Sequence, residues 1–181
     1  MTEGPLPASF FARDAEIVAE ELLGTVIVRA GRRARIVETE AYLGPHDLAC
    51  HSAKGRTKRT EIMFGPPGVA YVYLIYGMYD MLNFVTGDHS GQAVLIRAAE
   101  PLLGFDQGQR LDGPGKLARA LGITTREDNG VVLGSPALSV WPGPAPKRFF
   151  RGPRIGVDYA GEWRDEPLRF CDADSRHISR K

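Results

Sequence analysis

The segment Arg35 to Gly44, RIVETEAYLG, puts two carboxylates and a phenol where the alternation of a strand asks for apolar side chains. Ala34, Ile36, Glu38, Glu40 and Tyr42 are spaced by two, which projects them from one side of a strand at steps of about 6.6 to 7 Å. In one reading, that end of the strand faces solvent or is ion-paired to Arg33, Arg35 or another basic residue. In the other, a carboxylate stands in a cleft beside an aromatic wall, where partial desolvation readies it as a general base.

A second aromatic group lies in VAYVYLIYGMYD. Tyr71 and Tyr73 share a strand face, and strand tyrosines are ordinarily cross-strand packing partners, which is the expectation for Tyr71 or Tyr79 taken singly. Tyr76 falls beside a glycine at a turn. An exposed ring there, in a chain with basic loops, has the form of a wedge for a nucleic-acid groove.

Charge is clustered although the formal net is only +1. Between Arg29 and Thr60 stand eight basic residues, among them Lys54, Arg56, Lys58 and Arg59, against three acids. A second block, Lys147, Arg148, Arg151 and Arg154, contains no acid. These blocks are two solvated loops or the electrostatic footprint of a polyanion. His46, Asp47 and His51 lie close together, but histidines five apart do not make a helical ligand pair, so no metal is expected.

Several elements must position these groups. Asp14 is a plausible N-cap for a helix through Leu23, with a stripe of Ala15, Val18, Ala19 and Leu22 and a stop at Gly24. Thr25 to Ala30 and Arg33 to Leu43 read as strands joined across Gly31-Arg32. Pro45 to Gly68 is a long polar loop, and loops of that length are usually functional. Val69 to Ile75, Met81 to Thr86 and Gln92 to Ala99 read as strands, with Tyr76 to Tyr79 as the turn between the first two. Lys116 to Leu121 reads as a short helix between Gly113-Pro114-Gly115 and Gly122. Val131 to Val140 holds a strand or two, Ile155 to Val157 and Leu168 to Cys171 are short strand candidates, and the residues from Asp172 read as a loosely held tail. Strands that cluster rather than alternate with helices indicate an α+β domain with a curved, mainly antiparallel sheet.

At 181 residues and 43% hydrophobic the chain is long enough for one sizeable core and is expected to form a single domain over residues 1–181. Cys50 and Cys171 match no metal or redox spacing and are too few for a disulfide framework, although one disulfide between them stays open. No apolar run approaches the roughly 18 to 20 residues that span a bilayer, and MTEGPLPASFFARDAE is acidic rather than a basic leader. The expected location is the cytoplasm, on the nucleoid if the source is prokaryotic.

RIVETEAYLGP, the histidine of CHS, YVYLIYGMYDMLN and LIRAAEP stand in the order found in the alkyladenine (3-methylpurine) DNA glycosylases, and GPGKLARALGI extends the match. The chain closely resembles that family from Ala34 to Ile123 and more loosely elsewhere. The resemblance implies a protruding β-hairpin, flanking helices, no cofactor, and a monomer whose partner is double-stranded DNA containing damaged purines. It implies Glu40 as the base that activates water, with Arg97 near that water and no such role for Glu38. Tyr42, His51 and Tyr73 correspond to the pocket that holds the flipped base, Asn83 to the residue that disfavours unmodified guanine, and Tyr76 to the side chain that fills the gap in the duplex. Arg56, Lys58, Arg59, Lys116, Lys147 and Arg148 are candidates for the DNA backbone. The basic loop Lys54 to Ile62 is about one residue shorter than the family pattern, and the turn Gly87 to Gly91 about one longer.

Because no lysine is assigned as an amine nucleophile, the resemblance implies a monofunctional enzyme that leaves an abasic site. Two rivals keep the cleft and change the activity: a damage-binding protein without catalysis, and an enzyme acting on purines in RNA or free nucleosides.

Overall fold

The computed structural model describes residues 4–180. Among the described residues all eight strands pair antiparallel, in line with the expected α+β domain and its mainly antiparallel sheet. They are β1 (Val26–Arg29), β2 (Arg32–Tyr42), β3 (Ala70–Ile75), β4 (Tyr79–Thr86), β5 (Gln92–Leu103), β6 (Ser139–Trp141), β7 (Phe149–Gly152) and β8 (Arg169–Asp172). The main path runs β3-β4-β5-β2-β1-β6, and β7 and β8 attach to the far half of β2 through β8. One edge of β2 is therefore shared, its first residues pairing with β1 and Glu38, Thr39 and Glu40 pairing with β8.

The β1–β2 turn falls at Ala30-Gly31, one residue before the expected place. Both residues have positive φ, at 49° and 77°, the twist that suits a two-residue hairpin. Helices α1 (Ala8–Phe11), α2 (Ala15–Glu21), α3 (Pro114–Leu121) and α4 (Thr125–Asp128) complete the domain. Asp14 holds the N-cap position of α2, but its side chain makes no capping bond and the helix stops at Glu21 instead of Leu23. Gly24 follows at φ 91°, and a Cβ there would stand 2.1 Å from the Pro144 carbonyl oxygen. The core lies between these helices and one sheet face, with Phe11 edge-on to Phe84 at 5.9 Å and Ile27, Ile36, Ile96 and Leu117 fully buried.

The face assignment of β2 requires a correction. Ile36 pairs with Ala99 and Glu38 with Ala98, so Val37 is an extra residue. Thr39 then pairs with Ile96, which leaves Arg97 as the extra residue of β5. A bulge of this kind bends the strand and changes which residues face which side. Ala34 and Ile36 belong to the main core, and beyond the bulge that side continues with Thr39, whose hydroxyl donates to the Ala19 carbonyl, and with Ala41. Glu38, Glu40 and Tyr42 thus do not extend the Ala34–Ile36 face, and emerge on its reverse.

Three other expectations change. Ile155 to Val157 is not a strand; the Ile155 N–H is bound by a carboxylate instead of a ladder. The loop from Pro45 contains two 3-10 turns, His51–Lys54 and Glu61–Phe64, and Asp158–Arg164 is 3-10 turn on either side of a kink at Ala160 and Gly161. The tail is not loose up to Arg180: Ile178 is buried with Val37 and Cys171, and Ser179 bonds to Glu38. Met1 to Glu3 of the acidic N-terminus and Lys181 of the tail lie outside the described residues. Both cysteines are free and buried. Among the described residues no helix is long and apolar enough to cross a membrane.

Candidate active site

On the reverse face of β2, β3, β4 and β5 lies a cavity of about 330 Å³ lined by Tyr42, His51, Tyr73, Asn83, Arg97 and, at its rim, Tyr76. That volume is at the small end of ligand pockets. The sheet register explains the gathering. Tyr73 is opposite Met81 and Tyr71 opposite Asn83 in the β3–β4 pair, while Asn83 is opposite Leu95 and Leu95 opposite Glu40 in the next two ladders.

Glu40 is fully buried beneath the wall formed by Tyr42, Leu95, Arg97 and Ile155. Its Oε1 accepts from the Ile155 N–H at 2.8 Å and faces Arg97 Nη1 at 3.3 Å, and its Oε2 accepts from the Tyr42 hydroxyl at 2.8 Å. Burial, with Glu40 adding, pushes the Tyr42 phenol well above its ordinary range, so it is a donor here. Behind the ring stands the Arg154 guanidinium, 4.8 Å from the ring centroid and bidentate to Asp47 in a fully buried pair.

His51 opens the first 3-10 turn. Its Nδ1 is 3.0 Å from the Tyr71 hydroxyl and its ring 4.4 Å from that of Tyr73. Burial, helped by Arg59 and Lys54, lowers its pKa from the ordinary 6.5 to about 4, so the imidazole is neutral at pH 7. Tyr73 carries the Arg59 guanidinium over its ring at 5.3 Å. Asn83 donates its amide nitrogen to the Tyr71 and Met81 carbonyls at 3.1 and 3.3 Å. Since both acceptors are carbonyls, the amide oxygen is the end left for a ligand.

Tyr76 crowns the β3–β4 hairpin at 84% exposure, with φ 53°. That left-handed conformation costs a non-glycine residue roughly 1 to 2 kcal/mol. Residues held so cluster at functional sites. Leu74, Met78 and Tyr79 are exposed beside it.

The two basic blocks fare differently. Arg56, Lys58 and Arg59 are exposed on the loop that also carries His51, and none is in an ion pair among the described residues. Lys116 sits in the first turn of α3 next to Pro114 of the cavity wall, paired to Asp112 at 3.1 Å. The block from Lys147 is acid-free only along the chain. Arg148 pairs with Asp174, Arg151 with Glu16 and Arg154 with Asp47. Lys147 and Arg148 precede the end of β7 at which Phe149 pairs with Asp172, three ladder positions from the Gly152–Arg169 pair beside Glu40, so the fold does not bring them to the cavity.

His46, Asp47 and His51 also diverge. His46 packs edge-on to Trp163 at 5.6 Å, Asp47 is held by Arg154, and His51 turns to Tyr71. Among the described residues no group of three His, Cys, Asp or Glu could hold a metal ion. Sequence reasoning missed Tyr71 as the partner of His51, although its spacing of two from Tyr73 pointed to the same face. Arg154 and Ile155 carried no local signal, because their partners are over 100 residues away.

Fold and cavity together define a class: a single α+β domain in which a bulged antiparallel sheet buries a carboxylate–arginine pair under an aromatic cleft flanked by a protruding hairpin. A family model described as "Methylpurine-DNA glycosylase (MPG)" matches residues 9–176, and the chain belongs to that family. Relatives named "Putative 3-methyladenine DNA glycosylase" include one from Myxococcus xanthus, 57% identical over 97% of this chain and 93% of its own length. Those from Legionella pneumophila strain Lens and Methanocella arvoryzae are each 49% identical over 97% of this chain, and over 98% and 96% of their own lengths.

Proposed function

We propose that this protein is a monofunctional DNA glycosylase that takes alkylated or deaminated purines out of duplex DNA and hydrolyses the N-glycosidic bond. The observation that carries the reading is the Glu40–Arg97 pair at 3.3 Å directly beneath a cavity walled by Tyr42, His51 and Tyr73.

A base inside a duplex is out of reach, so it is extruded, at a cost of a few kcal/mol that is smaller for damaged or mispaired bases. Tyr76 offsets part of this by stacking in the vacated site, at roughly 1 to 3 kcal/mol per stacked base. A purine between Tyr42 and Tyr73 stacks on two rings, and a ring-alkylated cationic purine gains a further cation–π contribution of about 0.5 to 2 kcal/mol. As the bond to C1′ breaks, the sugar becomes oxocarbenium-like. Arg97 and the Ile155 N–H hold Glu40 Oε1, leaving Oε2, shared with the Tyr42 hydroxyl, to take the proton of the attacking water. Among the described residues no lysine lines the cavity, in keeping with water rather than an amine as nucleophile and with an intact backbone around the abasic product. The protein acts as a monomer on double-stranded DNA.

The test is excision from a labelled duplex with one hypoxanthine or ethenoadenine, and from methylated genomic DNA, by wild type and Glu40→Gln, with binding of both to the lesion duplex. Release by wild type alone, with binding by both, supports the reading. Binding by both and release by neither from any substrate would replace it with a damage-binding protein, and strand scission in metal-free buffer would remove the monofunctional assignment.

A further inference from the structure

Glu38 is a buried carboxylate next to Glu40 along β2 that the chemistry above leaves unused. Fully buried, it sits where β2, β5 and β8 meet. Its Oε1 accepts from Arg97 Nε at 3.1 Å, from Arg169 Nη1 at 3.2 Å and from the Ser179 hydroxyl at 2.8 Å, and its Oε2 accepts from the Ser179 N–H. Arg97 in turn has Nη1 toward Glu40 and Nη2 on the Ser179 hydroxyl at 3.4 Å. Nε and Nη2 of that guanidinium are thus hydrogen-bonded, which holds the planar fork with Nη1 against Glu40. Two carboxylates and two guanidiniums make the buried quartet neutral.

Two features point beyond stability. Well-packed apolar side chains in place of a buried ion pair are often as stable or more so, so stability alone does not call for this quartet. The bulge at Val37 and the extra residue Arg97 together turn Arg97 toward both Glu38 and Glu40.

We propose that Glu38 is a positioning residue. Clamped by Ser179 from the C-terminal segment and by Arg169 from β8, it holds Arg97 by Nε so that Arg97 meets Glu40 through one nitrogen only. Without Glu38, Arg97 is free to swing onto Glu40 with two nitrogens and to occupy Oε2, the oxygen needed by the water. The inference rests on the glycosylase reading. It extends the working site to the last residues of the described chain.

The test compares wild type, Glu38→Gln, Ser179→Ala, the double variant and Glu40→Gln by single-turnover release of hypoxanthine. Lesion-duplex Kd and binding stoichiometry are measured alongside, so that rates are expressed per folded site. Glu38→Gln is expected to lower the rate about 10- to 100-fold, by analogy with the loss seen when the partner that orients a metal ligand is removed, with Kd within about twofold. Ser179→Ala, which keeps the Glu38 charge and tests the idea even if Glu38→Gln does not fold, is expected to lose less. The double variant is expected to fall well short of the product of the two losses, because both act through Arg97. An unchanged rate per folded site in Ser179→Ala and Glu38→Gln, with Glu40→Gln inactive, overturns this proposal and spares the glycosylase reading. A wild type that releases no purine from any substrate overturns both.

Discussion

The hydroxyl of Tyr42 donates to Oε2 of Glu40 at 2.8 Å, so a wall of the cavity is also the cap on the buried carboxylate. Tyr42→Phe separates the two roles. The ring remains for stacking, while Glu40 loses a hydrogen bond of the charge-assisted kind, about 1.5 to 3 kcal/mol. Single-turnover excision is expected to fall at least roughly tenfold with lesion-duplex Kd nearly unchanged. A parallel loss of affinity would show that the hydroxyl serves the wall and not the carboxylate.

Tyr76 combines 84% exposure with a left-handed backbone. Tyr76→Gly relieves the backbone cost and removes the ring, so its melting temperature is expected not to drop below that of wild type. Affinity for a lesion duplex should meanwhile fall by about 5- to 150-fold, the loss of one stacking platform. A variant that melts lower and binds equally well would remove the plug role.

The basic blocks make opposite predictions in salt. Neutralising Arg56 or Lys58, which are exposed without carboxylate partners among the described residues, is expected to flatten the plot of log Kd against log salt by about 0.9 for each phosphate no longer neutralised. Lys147→Ala with Arg148→Ala is expected to leave the slope unchanged, since Arg148 is paired to Asp174 and the fold holds both away from the cavity. Equal flattening by both sets would place the DNA track along β7 as well.

His51 makes folding pH-dependent. Its pKa is about 4 in the folded protein against the ordinary 6.5, so between these values the unfolded chain binds a proton that the folded one refuses. Its contribution is thus complete above pH 6.5 and is lost as pH falls toward 4. The drop in melting temperature from pH 7.5 to 5 should be smaller in His51→Gln than in wild type; an equal drop would assign the acid sensitivity to other groups.

The hairpin signals are legible because they are local: an alternating run, a glycine-containing turn and a tyrosine beside Gly77 are enough to read β3 and β4 with Tyr76 between them. Glu40 and Arg97 are legible for another reason, since they stand in long strings shared with a family. Glu38 stands in the same string without showing its role, because that role depends on Arg169 and Ser179, which are 131 and 141 residues away.

By itself the sequence determined the central strands β1 to β5, the hairpin tip, the α+β class and the family, but it missed β7 and put a strand at Ile155 to Val157 that does not form. Tertiary structure alone decided which face each residue of β2 presents, because an extra residue at Val37 and another at Arg97 are invisible in an alternating pattern until the strands pair. It also decided which charges are free. Attraction between ions depends on distance in space, and the three arginines of a block without an acid along the chain are paired once folding brings Glu16, Asp47 and Asp174 against them.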